Sequence, residues 1–387
     1  PPRSTLFPYT TLFRSRRGRL FFLANYEQVG EVRSRTQRAI TITQLARQGT
    51  LPSGDVTVNP AAKPFIDLYP LPNGRDFGDG SAEFISPAST EAGDRFFSAR
   101  ADFLATANVR SSVRVSHSTA DTASPDQFRF WVLDTSSRFA FLQSETSIVQ
   151  SPSTLHNLRF GYSKVRNTED ATPPNIPASL TFVAGRPIGT LEVTGLTDLT
   201  SQTVSSLPRI HDLSSHQFNY DVTHATRGHT LRLGASSDHL SFSQLGDFRA
   251  NGRYRFSSIQ ALLLGRPAGG DLMYPGSDTS RLWRQRQFSF FAQDQTRLSA
   301  GLSLLLGVRY EGYTSPSEAG GKIAVLITPL HDTELTHGGP LFDNPSAGNF
   351  APRAALAWYP SGTGRTVIRA GAGMFFDLLT SREVTIA

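Results

Sequence analysis

Between Trp283 and Tyr313 apolar and polar side chains alternate with a period of two, the spacing of a strand whose faces meet different surroundings. Phe288, Phe290 and Ala292 fall on one face, and Gln287, Ser289, Gln293 and Gln295 on the other with Phe291 among them. After a polar break at Ser299 to Gly301, Leu302, Leu304, Leu306, Val308 and Tyr310 oppose Ser303, Gly307, Arg309 and Glu311. The pattern predicts a two-stranded hairpin. Each strand is about as long as a tilted strand needs to cross a bilayer, ~9 to 11 residues, whereas soluble strands usually stop at ~5 or 6. Aromatic residues near the ends suit a headgroup girdle.

The same alternation predicts further strands at Leu20 to Val29, Phe96 to Thr106, Val109 to His117, Phe139 to Val149 and Leu155 to Val165. It returns at His216 to His224, Thr230 to Leu240, Phe350 to Pro360 and Arg365 to Phe376. Between them, breaks are short and long in turn. Ala107 to Asn108, Gln150 to Ser153, Thr226 to Gly228 and Ser361 to Gly364 read as tight turns. Gly30 to Gly93, Arg166 to Ser215, Ser241 to Arg281 and Thr314 to Asn349 read as long excursions, a medium loop holding Phe128 to Leu133. The first excursion is too rich in Pro, Gly, Asn and Asp to supply core, with short helices expected at Gln37 to Gln48 and Pro60 to Tyr69. The third holds a helix with an apolar face at Ile259 to Leu264.

Short turns alternating with long loops are the rhythm of an outer-membrane barrel. The fold class is therefore all-β, an antiparallel transmembrane barrel. About eleven strands are counted where a closed bacterial barrel needs an even number, so the expectation is a partial barrel, a fragment forming an open, curved sheet.

Composition changes the picture little. Hydrophobic residues make up 38% of the chain, mean hydropathy is -0.25, and no apolar run approaches the roughly 18 residues of a spanning helix. A barrel escapes that test because only alternate residues face lipid. There is no cysteine, so neither disulfides nor thiolate metal sites contribute. The formal charge of +6 comes mostly from scattered Arg, without the basic block of a nucleic-acid binder. Thr5 to Ser15, TLFPYTTLFRS, is what a common sequencing-adapter oligonucleotide encodes. Residues 1–15 are accordingly set aside as unstructured and residues 16–387 taken as barrel; without Arg3 and Arg14 the charge falls from +6 to +4.

The sequence resembles the barrel of TonB-dependent receptors of the Oar-like, acidobacterial type. FFLANYEQV at Phe21 to Val29, LYPLPNG at Leu68 to Gly74, and HQFNYDVTHATRGHTLRLGA at His216 to Ala235 carry the resemblance. So do ALLLGRPA at Ala261 to Ala268, PGSDTSRLWRQRQFSFFAQDQTRL at Pro275 to Leu298, LGVRYEGY at Leu306 to Tyr313, and NPSAGNFAPRAALAW at Asn344 to Trp358. The resemblance implies a ligand-gated importer in the outer membrane of a Gram-negative cell, with about 22 strands around a plug. It also implies a TonB partner reached through plug and TonB box, outer-membrane lipid around the wall, and a small-molecule, oligosaccharide or peptide ligand. It transfers no ligand-contact residue and no cofactor.

Individual side chains add restraint. Five of the nine histidines, His211, His216, His224, His229 and His239, crowd one region. His216 and His224 share the apolar face but stand roughly 25 Å apart at ~3.3 Å per residue, so no shared metal ion is expected. Interfacial or loop positions are the expectation. Gly362 with Gly364 suits a tight turn, and Gly371 with Gly373 inside a strand allows another backbone to approach, such as a plug. Neither pair opens a helix as a phosphate loop does. Arg100 with Asp102, and Arg309 with Glu311, share inward faces and are expected to form lumenal ion pairs that pack against a plug. No catalytic pattern stands on a plausible scaffold, so an enzyme is not expected; a plug-less porin, a barrel enzyme and a soluble extracellular β-sandwich are the rivals.

Overall fold

The computed structural model describes residues 14–16, 18–172, 176–200, 206–246, 249–274, 276–342, 347–360 and 366–377. Eleven strands form one continuous antiparallel sheet in chain order. They are β1 (Leu20–Ile42), β2 (Ser81–Thr106), β3 (Val109–Pro125), β4 (Val132–Ser151), β5 (Thr154–Thr172) and β6 (Arg209–Thr226), followed by β7 (His229–Leu245), β8 (Arg281–Ser299), β9 (Leu302–Tyr313), β10 (Phe350–Trp358) and β11 (Ile368–Gly373). The sheet is open, for β11 pairs only with β10 among the described residues. At the other edge the short strand Arg14–Arg16 pairs with Leu20 to Phe22, so Arg14 and Ser15, set aside on sequence as unstructured, join the sheet.

Register puts the apolar positions of neighbouring strands side by side. Leu158, Tyr220, Ala235, Phe290, Tyr310 and Phe350 form one lateral row across six strands. Phe22, Phe97, Phe103, Phe218, Leu233, Phe290 and Leu306 are all exposed on this outward face. A soluble protein does not leave such a continuous band in water; a barrel turns it to lipid. On β6 the band runs from His224 to His216, ~26 Å of strand at ~3.3 Å per residue before tilt.

The strands are longer than alternation alone predicts. β1 to β8 run from 17 to 26 residues, about twice what a bilayer requires. The extra length is added at the long-loop end, where neither face touches lipid and polar residues serve on both. Thus β1 continues through the expected helix start at Gln37, and only Gln44–Arg47 forms helix α1. Helix α2 (Lys63–Leu68) falls inside its expected span, and α3 (Ile259–Leu263) matches it closely. β11 is shorter than expected, and the turn holding Gly362 and Gly364 lies outside the described residues.

The main hydrophobic core is not in the sheet. It lies in the long excursions, where Ile42, Ile66, Tyr69, Trp131, Leu199, Leu262 and Leu263 are buried together, which corrects the expectation that the first excursion supplies no core. The reason is geometric: wall side chains point to lipid or lumen, so apolar groups can bury one another only where the chain folds back above the wall. Three short strands, Thr190–Val193, Arg253–Phe256 and Gly269–Asp271, make a small separate sheet in this cap. Thr43 and Ser258 cap α1 and α3 through their hydroxyls. Arg47 donates to the carbonyl of Ile66 in the last turn of α2 and to those of Tyr69 and Pro70 just past it. The cap is tied to the wall where Thr197 N donates to Ile40 O at 2.9 Å.

Candidate functional site: the lumenal wall and its vestibule

The face opposite the lipid band carries the polar half of each strand's alternation. Arg100 donates to Asp102 through Nε and Nη2, both at 2.8 Å, and Arg110 adds a contact at 3.4 Å. Arg309 Nε donates to Glu311 at 2.6 Å. Both expected lumenal pairs are therefore formed. Between them runs a longer ladder that register creates: Arg159 reaches Glu145 at 3.3 Å and Asp221 at 3.5 Å, and Arg232 reaches Asp221 at 3.4 Å. Asn157 donates to the same Asp221 carboxylate at 3.1 Å, leaving that side chain only 6% exposed. Alternation places Arg159 and Asp221 on inward faces; that they meet depends on pairing Asn157 with Asp221, which strand patterns cannot supply.

Beyond the ladder, Arg232 lies over the Phe291 ring, 5.7 Å from its centroid. Phe291 shares the inward face of β8 with Trp283, and its ring packs against Gly234 of β7. A Cβ at Gly234 would sit 2.3 Å from the ring, so glycine is required by the close approach. Next to it an inward hollow of about 180 Å³ is lined by Gln217, Asn219, Asp238, Ser289, Arg309 and Glu311.

Nearer the cap, a vestibule of about 480 Å³ opens between the inward faces of β1, β3 and β4 and the segment carrying Thr197 and Asp198. Arg35, Gln37, Asp126 and Trp131 line it as well. Burial, reinforced by the nearby Glu192 and opposed by Arg253, pushes Asp198 up to about 6. Burial also raises Asp126, against three backbone N–H donors. Nothing in the local sequence marks this vestibule, because its walls come from four separate stretches of chain.

His216, His224, His229 and His239 occupy outward positions, whereas His211 lies on the inward face with its ring 5.6 Å from that of Phe242. His224 Nδ1 bonds Thr154 at 2.8 Å, His156 bonds Tyr220 at 2.8 Å and His229 bonds Asp294 at 2.7 Å. Register sets His216 opposite His239, a neighbour that spacing along one strand does not reveal. Among the described residues no three metal-ligating side chains converge. Gly371 and Gly373 lie on the inward side of β11, opposite Ala355 and Arg353.

No curated protein matches the chain by sequence. Among solved structures it is similar to the outer membrane transporter YddB from Escherichia coli, with 9% identity and a TM-score of 0.48, over 94% of this chain and 37% of that one. It is also similar to BauA, the ferric preacinetobactin receptor from Acinetobacter baumannii, with 13% identity and a TM-score of 0.38, over 96% of this chain and 47% of that one. The chain thus spans less than half the length of either protein. The profile described as "Outer membrane beta barrel domain" matches residues 16–386, every strand of the open wall included, and the chain belongs to that family of the bacterial outer membrane.

Proposed function

We propose that this chain is the barrel portion of a TonB-dependent, ligand-gated importer of a scarce nutrient, without catalytic activity. The observation that carries the reading is the neutralised lumenal ladder from Glu145 to Arg232. Pores that select ions by charge expose rings of one sign. A wall whose carboxylates and guanidiniums are already paired suits contact with a polar protein plug, which itself leaves no conducting path. The vestibule above supplies a first holding place for a ligand, with Leu133 for apolar contact and Arg35 and Asp198 for charged groups. The partners of this reading are TonB, acting through a plug and TonB box, and a small molecule, oligosaccharide or peptide; nucleic acid is not one of them.

The test is to read the genomic locus across both ends of these residues and reconstitute the full gene product in a planar bilayer. A plug domain and TonB box in the same reading frame, and a product closed to small ions, are expected. A reading frame lacking both, with steady conductance, would replace this reading with a passive porin.

A further inference from the structure

At the long-loop border of the lipid band the outward face turns basic, strand after strand. Two residues beyond Phe97 on β2 stands Arg95, beyond Ala140 on β4 Arg138, beyond Tyr162 on β5 Lys164, and beyond Phe288 on β8 Arg286. His117, His216 and His239 hold the corresponding border positions on β3, β6 and β7. At the short-turn border the outward positions hold Thr154, His156, His224, His229 and Asp294, with histidine but no Arg or Lys among them, so it is the Arg and Lys of the girdle that are one-sided.

The girdle is densest on β4 and β5. Arg138 and Arg166 are directly opposed cross-strand partners on the outward face, an arrangement that repels unless an anion intervenes. Neutralisation within the protein is partial: Lys164 and Arg166 share Asp212 at 3.1 and 3.7 Å, and Arg138 reaches Asp121 only at 4.0 Å. With Arg95, four cations face two carboxylates. Higher still, the outward face becomes acidic, with Glu91, Asp134 and Asp170 in one lateral row and Asp134 directly opposite Asp170. An anion is therefore favoured at one height, with apolar side chains beneath it and carboxylates above it.

We propose that this border binds the phosphate groups of outer-leaflet lipid, centred on Arg138, Lys164 and Arg166. The occupant follows from the layering. A soluble anion would use the charges alone and leave the apolar band below uncovered, whereas a phosphorylated amphiphile satisfies both, with acyl chains on Tyr162 and Leu142 and phosphate on the guanidiniums and ammonium. The proposal rests on the outward face being the lipid face, not on the importer reading.

The full gene product, in neutral detergent, is titrated with a diphosphorylated glucosamine glycolipid and with the same lipid after enzymatic dephosphorylation, and retained lipid is counted by native mass spectrometry. The phosphorylated form is expected to bind at least ~10-fold more tightly, with the preference shrinking as salt rises. Combining Arg138→Gln, Lys164→Gln and Arg166→Gln should weaken it ~100-fold, at ~5-fold per charge, while Lys63→Gln on the cap changes nothing. Equal retention of both lipids by the unmodified protein would overturn the proposal, as would saturation of the site by inorganic phosphate at the same concentration. A product that fails to associate with phosphatidylcholine vesicles would instead remove the barrel assignment beneath it.

Discussion

Asp221 lies on a sheet face that would be open to water in the lumen, yet its carboxylate is almost covered, because two arginines and an asparagine close over it. Removing one partner of such a cluster costs more than the cluster contributes, since the remaining charges lose their counter-charge. Asp221→Ala leaves Arg232 without its carboxylate and Arg159 with Glu145 alone. A loss of ~1 to 3 kcal/mol is expected, read as a lower denaturant midpoint for the full gene product. Asp121→Ala is the matched control, since Asp121 and Arg138 are each more than half exposed and 4.0 Å apart, and it should cost under ~0.5 kcal/mol. Asp198 acts in the opposite sense. Its folded-state value of about 6 lies above that of an unfolded aspartate, near ~3.9. The folded cap therefore holds the proton more firmly, and stability falls as pH rises from ~4 to ~6. Asp126, raised by burial too, adds to the trend. Asp198→Asn should make the cap more resistant to proteolysis at pH 7.5, by on the order of 1 kcal/mol after solvent screening, and flatten its pH dependence. A cleavage rate at pH 7.5 that the substitution leaves unchanged would rule out this role for Asp198.

At the scale of the element, the legible part of each strand is the part that lipid constrains. Leu158, Phe160 and Tyr162 alternate cleanly with polar neighbours because the lipid-facing residues must be apolar, whereas the continuation of β5 to Thr172 alternates between polar residues and carries no such signal. The inward faces are equally readable, since Arg100 with Asp102 and Arg309 with Glu311 each pair within one strand. The Glu145 to Arg232 ladder joins four strands and needed register. The cap is illegible for a different reason: its apolar residues are scattered over three excursions and the medium loop, none amphipathic over enough length to announce a core. Leu263 of α3 is fully buried there, and Asn59 N donates to its carbonyl at 2.8 Å, stitching the first excursion to the third. Leu263→Ala should cost the cap ~2 to 5 kcal/mol. Because the wall's hydrogen bonds do not pass through α3, limited proteolysis should release cap fragments while the β6 to β9 strands stay protected in the membrane. Simultaneous loss of strand protection would show that cap and wall fold as one cooperative unit.

For the whole molecule, the governing constraint is that a bilayer offers no hydrogen-bond partner to a free strand edge. The far edge of β11 is unpaired among the described residues, and β1 beyond Phe22 has only β2 beside it. Among the described residues, alternate positions between Leu23 and Ala39 thus have no strand partner along one side, and a free donor or acceptor in the lipid-facing part of β1 costs several kcal/mol if left in hydrocarbon. Residues 1–387 produced alone in detergent micelles are therefore expected to self-associate edge to edge rather than form a single closed wall. Sedimentation should show a spread of oligomers, and amide exchange should be fastest in β11 and on the free side of β1. The interior strands β3 to β8, paired on both sides, should exchange slowly in the same sample. A monodisperse monomer with slow exchange at β1 and β11 would mean that the two edges find each other, and that eleven strands close without help.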